Sequence, residues 1–284
     1  MKLVRFGPAG KEKPGIIDAQ GKIRDLSKVV KDIDAEALSP SGLAKIKKAK
    51  IEKLPLVKGN PRLGPCVARP SNFIAIGLNY ADHAAEAGLS VPPEPVIFNK
   101  ASSCICGPND NTIIPKGSSK LDWEVELGIV IGSRARYLPS KEKAMSVIAG
   151  YCLANDVSER VFQIERAGQW TKGKGCETFG PLGPWMVTKD EIKDPQNLDM
   201  WLDVNGEKRQ RGNSKTMIFG CEHLVWYCSQ FFVIEPGDVI ITGTPSGVGL
   251  GMKPVPIYLK AGDVVTHGIE GLGQQRQKVV PFKA

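Results

Sequence analysis

Residues 122–128 read DWEVELG, inside the longer run SKLDWEVELGIVIG at 119–132. Trp123, Val125, Leu127, Ile129 and Ile131 alternate with Asp122, Glu124, Glu126, Gly128, Val130 and Gly132. A period of two is the mark of a β-strand, so the pattern predicts one over 120–132. It also sets Glu124 and Glu126 on one face, about 6–7 Å apart along the chain. Like charges that close repel unless water or a cation lies between them. The pair is therefore either an exposed acidic edge or part of a cation site. The same face continues through Gly128, Val130 and Gly132, which leads it into shelter and leaves room beside the backbone. A third carboxylate, Asp156, ends the apolar stretch before a predicted helix, where a side chain can look into a cleft. Three carboxylates suit Mg²⁺ or Mn²⁺, hard ions that prefer oxygen and keep waters for a substrate to displace.

Other stretches carry chemistry. In NYADHAAEAG (79–88), His83 and Glu86 stand at i and i+3 of a short helical turn and face the same side. A glutamate beside an imidazole orients the ring and favours its protonated form, so the pair can take a proton from water. The alternative is a surface His–Glu pair. WTKGKGCETFGPLGPW (170–185) is expected to be a Gly-rich loop whose Lys172 and Lys174 can each hold an anionic oxygen. GTPSGVGLGM (243–252) comes near a dinucleotide signature, but Pro254 and Pro256 prevent the following helix that would present its N-terminus to a pyrophosphate. Ser246 lies outside any GxSxG elbow, which argues against serine hydrolase chemistry. His223 and His267 are assigned no role.

Composition bounds the classes. The chain has 284 residues, 42% hydrophobic and 24% charged, an ordinary globular balance. No apolar run reaches the length of a membrane span, and the N-terminus lacks the apolar core of a signal peptide. The seven cysteines are scattered without zinc spacing, as expected of reduced core thiols in a cytoplasmic protein. The net charge of +8 raises the question of nucleic acid. Yet six lysines and one acid fall between Ser39 and Lys58, without an aromatic residue for base stacking. That segment is expected to be a solvated helix face starting at Ser39-Pro40. No nucleic-acid or membrane partner is expected.

Strands are expected at 73–79, 95–100, 147–156 and 198–208, the last turning at Asn205-Gly206. PGDVIITG (236–243) and AGDVVTHG (261–268) echo each other as turn-strand units. Helices are expected over 158–168, capped by Ser158, and over 214–232, capped by Ser214, with an apolar stripe from Met217 to Phe231. The class is α+β and strand-dominated, and the lack of regular βαβ alternation argues against a parallel sheet. Pro and Gly punctuation at 58–65 marks a boundary between a small N-terminal domain (1–65) and a larger one (66–284).

Taken together, GLNYADHAAE, PVIFNK, DWEVELGIVIG, YCLANDVSER, WTKGKGCETFGPLGPW and EPGDVIITGTPSGVG run in the order found in the fumarylacetoacetate hydrolase family, which the chain resembles over roughly residues 70–280. The resemblance implies a rolled β-sandwich catalytic domain around a divalent ion, usually Mg²⁺, sometimes Mn²⁺ or Ca²⁺. It places the ligands on Glu124, Glu126 and Asp156, and the His–Glu dyad on His83 and Glu86 in a lid segment. It puts the active-site lysine on Lys174, with Lys100, Gln163 and Thr244 lining the substrate. It implies a small β-rich N-terminal domain, a small anionic oxo-acid substrate and a homodimer. The implied reaction is hydrolysis of a C–C bond in a 2,4-dioxo acid, either an acylpyruvate or a diketo-deoxy sugar acid. Lyase, decarboxylase and isomerase chemistry are alternatives within the family. Leu78 departs from relatives that carry Arg before the Asn-Tyr.

Overall fold

The computed structural model describes residues 1–86, 88 and 90–283. Its centre is the strand Val125–Ile131, in which every residue is buried. It pairs antiparallel with Ile148–Asn155 on one side and with Val239–Ile241 on the other. Both of its faces are dry, and a second sheet packs over the first, as in a sandwich. The predicted single strand over 120–132 is broken. Leu121–Asp122 pairs separately with Ser158–Glu159, and Glu124 sits in the gap.

The larger sheet has ten strands. From one edge they run Ile23–Asp25, Lys13–Ile17, Lys2–Phe6, Gly180–Thr188, Ile148–Asn155, Val125–Ile131, Val239–Ile241, Phe73–Gly77 and Val96–Lys100, with Ile105–Cys106 beside Gly180–Thr188. Most pairs are antiparallel; Val239–Ile241 runs parallel to Phe73–Gly77. The N-terminal strands extend this sheet, since Lys2 and Leu3 pair with Val187 and Met186. The hairpin after Ile17 turns through Asp18-Ala19-Gln20-Gly21. The second sheet is built from Glu207–Asn213, Asp199–Val204, Val264–Ile269, Gly273–Val280 and Thr112–Ile113. Its first hairpin turns at Asn205-Gly206, both at positive φ. The two echoing Gly-Asp segments thus form strands in different sheets. Side chains tether the layers: Gln210 Oε1 accepts from the Val125 N–H, and Gln275 Nε2 donates to the Leu153 carbonyl.

Three further expectations change. Ser158 does not cap a helix over 158–168. It is buried in the short Ser158–Glu159 strand, its hydroxyl donating to the Asp156 carbonyl, and only a π-helical turn, Val161–Glu165, follows. The helix expected over 214–232 shrinks to Cys221–Cys228. Ser214 is held in a turn capped by Asn213, Met217 bridges to Tyr80, and Ile218 donates to Asn79, so the first apolar positions pack without helix. Phe231 lies beyond the helix and is exposed. The segment 170–185 is not all loop, since Thr171–Lys174 makes one helical turn and Gly180–Thr188 joins the central sheet. Pro184 falls in a register shift against Ile148–Asn155, where a missing N–H is tolerated. The lysine-rich helix forms over Pro40–Lys47 with Ser39 as its cap, and Lys45, Lys47, Lys48 and Lys50 are exposed. All seven cysteines are unpaired. Among the described residues no helix is long and apolar enough to cross a membrane.

Candidate active site

The break after Asp122 brings the acidic residues together. The Glu124 N–H donates to Asn155 Oδ1 at 3.0 Å, and the Asp156 N–H donates to the Glu124 carbonyl at 2.9 Å. Asp156 is thereby laid against the strand of the glutamates. One carboxylate oxygen each from Glu124, Glu126 and Asp156 lies within 4.8 Å of the others, and all three residues are buried. Such a cluster requires cations. The Lys174 ammonium stands 2.8 Å from Glu124 Oε2 and 2.7 Å from Asp156 Oδ2. The Lys100 ammonium stands 2.5 Å from Asp156 Oδ1 and also donates to the Lys174 carbonyl. Arg160 Nη2 reaches Asp122 Oδ2 at 2.7 Å and Glu124 Oε1 at 2.8 Å.

The glutamates differ in consequence. Burial would raise the Glu124 carboxyl, but Lys174 and Arg160 outweigh it and hold that group well below the usual carboxylate range. Burial raises Glu126, and the neighbouring Asp156 and Glu124 charges raise it further. Glu126 Oε2 accepts from the Gly243 N–H at 2.8 Å, whereas Oε1 is buried without a partner. An orphaned carboxylate oxygen facing two other acids fits a divalent cation. Glu124, Glu126 and Asp156 are the residues that would hold one.

A pH dependence follows. Glu126 is protonated in the folded protein at pH values where the unfolded chain has already lost that proton. Without added metal, the melting temperature is therefore expected to fall as pH rises from the ordinary glutamate range through the raised Glu126 value. Mg²⁺ affinity is expected to rise over the same window, because binding must displace the proton. Melting scans and calorimetry from the ordinary glutamate range upward in pH check both slopes.

His83 stands on the helix Ala81–Glu86, with Nδ1 3.2 Å from Glu86 Oε2. The Gly-rich loop clasps this helix: the Gly247 N–H donates to Glu86 Oε1 at 2.9 Å, and the Ser246 hydroxyl to Asp82 Oδ2 at 3.1 Å. A Cβ at Gly251 would lie 2.4 Å from the Glu86 carboxyl carbon, so a larger residue there would push the carboxylate from its place. The same loop donates the Gly249 and Leu250 N–H groups to Asp122, at 2.7 and 2.9 Å. Its glycines thus serve carboxylates rather than a pyrophosphate.

His83, Glu124, Lys174, Gln163 and Thr244 line one cleft together with Arg160, Phe98 and Trp170. Gln163 accepts from Arg160 Nη1 at 3.0 Å, and the Thr244 hydroxyl donates to the Val125 carbonyl at 2.9 Å. Lys100 is fully buried behind Asp156, where it supports Asp156 and the Lys174 backbone and forms no part of the cleft wall. Lys172 is exposed and donates to the Arg166 carbonyl, away from the acids. Sequence reasoning left Arg160 and Asp122 unassigned. Both lay within stretches already singled out, and a buried guanidinium among acids was the missing link.

A family model for the C-terminal part of fumarylacetoacetate (FAA) hydrolase matches residues 72–280. A protein of Burkholderia multivorans, provisionally named a hydrolase, is 59% identical over 277 residues, or 98% of each chain. The solved fumarylacetoacetate hydrolase of psychrophilic Exiguobacterium antarcticum superposes with a TM-score of 0.84 at 35% identity, over 99% of this chain and 100% of its own. The 5-carboxymethyl-2-hydroxymuconate delta-isomerase of Mycobacterium smegmatis gives 0.76 at 32% identity, over 100% of both chains.

Proposed function

The chain belongs to the fumarylacetoacetate hydrolase family, and from that premise we propose that it is a divalent-metal-dependent hydrolase that cleaves a C–C bond in a 2,4-dioxo acid. The observation that carries this is the placement of His83, with Glu86 behind it, on the same cleft as Glu124, through which the carboxylate cluster meets that cleft. When bound at Glu124, Glu126 and Asp156, a divalent ion supplies a Lewis acid for charge that develops on the oxo-acid oxygens.

The side chains do the rest. Glu86 holds the Nδ1 side of the imidazole and is itself fixed by the Gly247 N–H. Nε2 is then left to take a proton from water as that water's oxygen adds to the distal carbonyl. The bond between that carbonyl carbon and the methylene breaks, and its electron pair passes to the oxo-acid fragment, which takes up a proton on release. Lys174 keeps its ammonium beside the reacting oxygens and offsets their negative charge. The same cleft without an aimed water would serve isomerisation or decarboxylation, and the likeness to an isomerase keeps that chemistry as the second reading. His83→Ala is expected to lower acylpyruvate hydrolysis by about 10²–10⁴-fold while Mg²⁺ binding is retained. Single-turnover product analysis with added Mg²⁺ decides it. Undiminished hydrolysis in the variant refutes the dyad, and an isomerised product with no carboxylic acid released refutes hydrolysis.

A further inference from the structure

The basic groups around the cleft already have acidic partners. Lys174 lies between Glu124 and Asp156, Arg160 between Asp122 and Glu124, and His83 against Glu86. Among the described residues lining the cleft there is no other lysine, arginine or histidine. Lys253, farther along the Gly-rich loop, is exposed and outside the lining. Residues 81–95, the stretch that carries His83, contain no lysine or arginine, but do contain Asp82, Glu86 and Glu94.

The rest of the wall is mainly carbon: Ile76, Leu78, Phe98, Ile164, Trp170 and Leu250. The Trp170 ring meets Phe98 edge-on, with centroids 5.2 Å apart. It lies so close over Gly77 that a Cβ there would come within 2.4 Å of it. Ile164 and Leu250 are 50% and 39% exposed, so the apolar wall continues to the mouth. A carboxylate moved from water against such a wall loses its hydration without gaining a partner, whereas an alkyl group gains by burial.

We propose that this cleft selects oxo acids with a single carboxylate and an uncharged, apolar-ended acyl group, and that Ile164 and Leu250 set this choice at the mouth. The proposal rests on the function argued above for the direction of binding, with the oxo-acid head at the carboxylate cluster and the acyl tail on the apolar wall. The test compares valeroylpyruvate with glutaroylpyruvate, which has the same number of carbons but ends in a second carboxylate. Titration calorimetry on the Mg²⁺-loaded His83→Ala protein reads binding without turnover. Valeroylpyruvate is expected to bind about tenfold or more tightly than the diacid. Ile164→Arg in the same background is expected to narrow that gap by tightening the diacid alone. Equal or tighter binding of the diacid, no binding of either compound, or an unchanged gap in Ile164→Arg overturns the proposal. Hydrolysis by the unaltered enzyme is read separately. A valeroylpyruvate that binds tightly yet is never cleaved refutes the proposed reaction and leaves the selectivity standing.

Discussion

Glu126→Gln is expected to abolish Mg²⁺ binding and turnover together while leaving the metal-free protein at least as stable as before. The two halves have one cause. Burial and the Asp156 and Glu124 charges disfavour the ionised Glu126 carboxyl. A neutral amide of the same shape therefore removes the conflict. Its carbonyl can still accept from the Gly243 N–H, and its NH2 can take the place of the unpartnered Oε1. The cation loses one of three charged ligands, and a loss of affinity of at least about 100-fold is expected, since even partners outside the coordination sphere are worth 10–100-fold. Turnover should fall by roughly 10³-fold or more at fixed Mg²⁺, as expected when the main stabiliser of developing charge is gone. Calorimetric Mg²⁺ titration beside a melting scan separates the parts. A variant that still turns over dioxo acid, or melts far below the parent without metal, would show that Glu126 is not a ligand in waiting.

How far the sequence reached depended on the kind of interaction involved. The alternation in SKLDWEVELGIVIG located the central strand, because period-two burial is a local property of the chain. The Asn205-Gly206 turn and the Ser39 cap are local in the same sense, and both stand where expected. What misled was context. Ser158 is a good N-cap by type, yet its hydroxyl is taken by the Asp156 carbonyl. Met217 and Ile218 fit a helical stripe, yet they pair with Tyr80 and Asn79 from more than a hundred residues away. The carboxylates could be suspected from Glu-x-Glu. Their neutralisation by Arg160, Lys100 and Lys174 could not, because those residues arrive from three other elements. Spacing along one strand says which side chains share a face. It does not say what the fold carries over to meet them.

That neutralisation makes Lys174→Met the most disruptive change in the cleft. Lys174 is 2% exposed and contacts both Glu124 and Asp156. Methionine keeps much of its volume and apolar stem, so packing changes little and the charge is what is lost. Removing one member of a buried ion cluster leaves the others uncompensated and typically costs about 3–5 kcal/mol. For a chain of this size that is a drop in Tm on the order of 10 °C. Lys100 still holds Asp156 and Arg160 still holds Glu124, which places the loss toward the lower end. A divalent ion bound at the same acids supplies the missing positive charge. Saturating Mg²⁺ should therefore restore most of the lost Tm in the variant and raise the parent's Tm by less. Activity should not follow, because an ion at the carboxylates does not put a hydrogen-bond donor where the ammonium stood. Hydrolysis is expected to stay about 10²–10³-fold down in the metal-loaded, thermally restored variant. If instead turnover returns in step with Tm, Lys174 serves only to hold Glu124 and Asp156 in place, and the charge on the reacting oxygens must be met by another group.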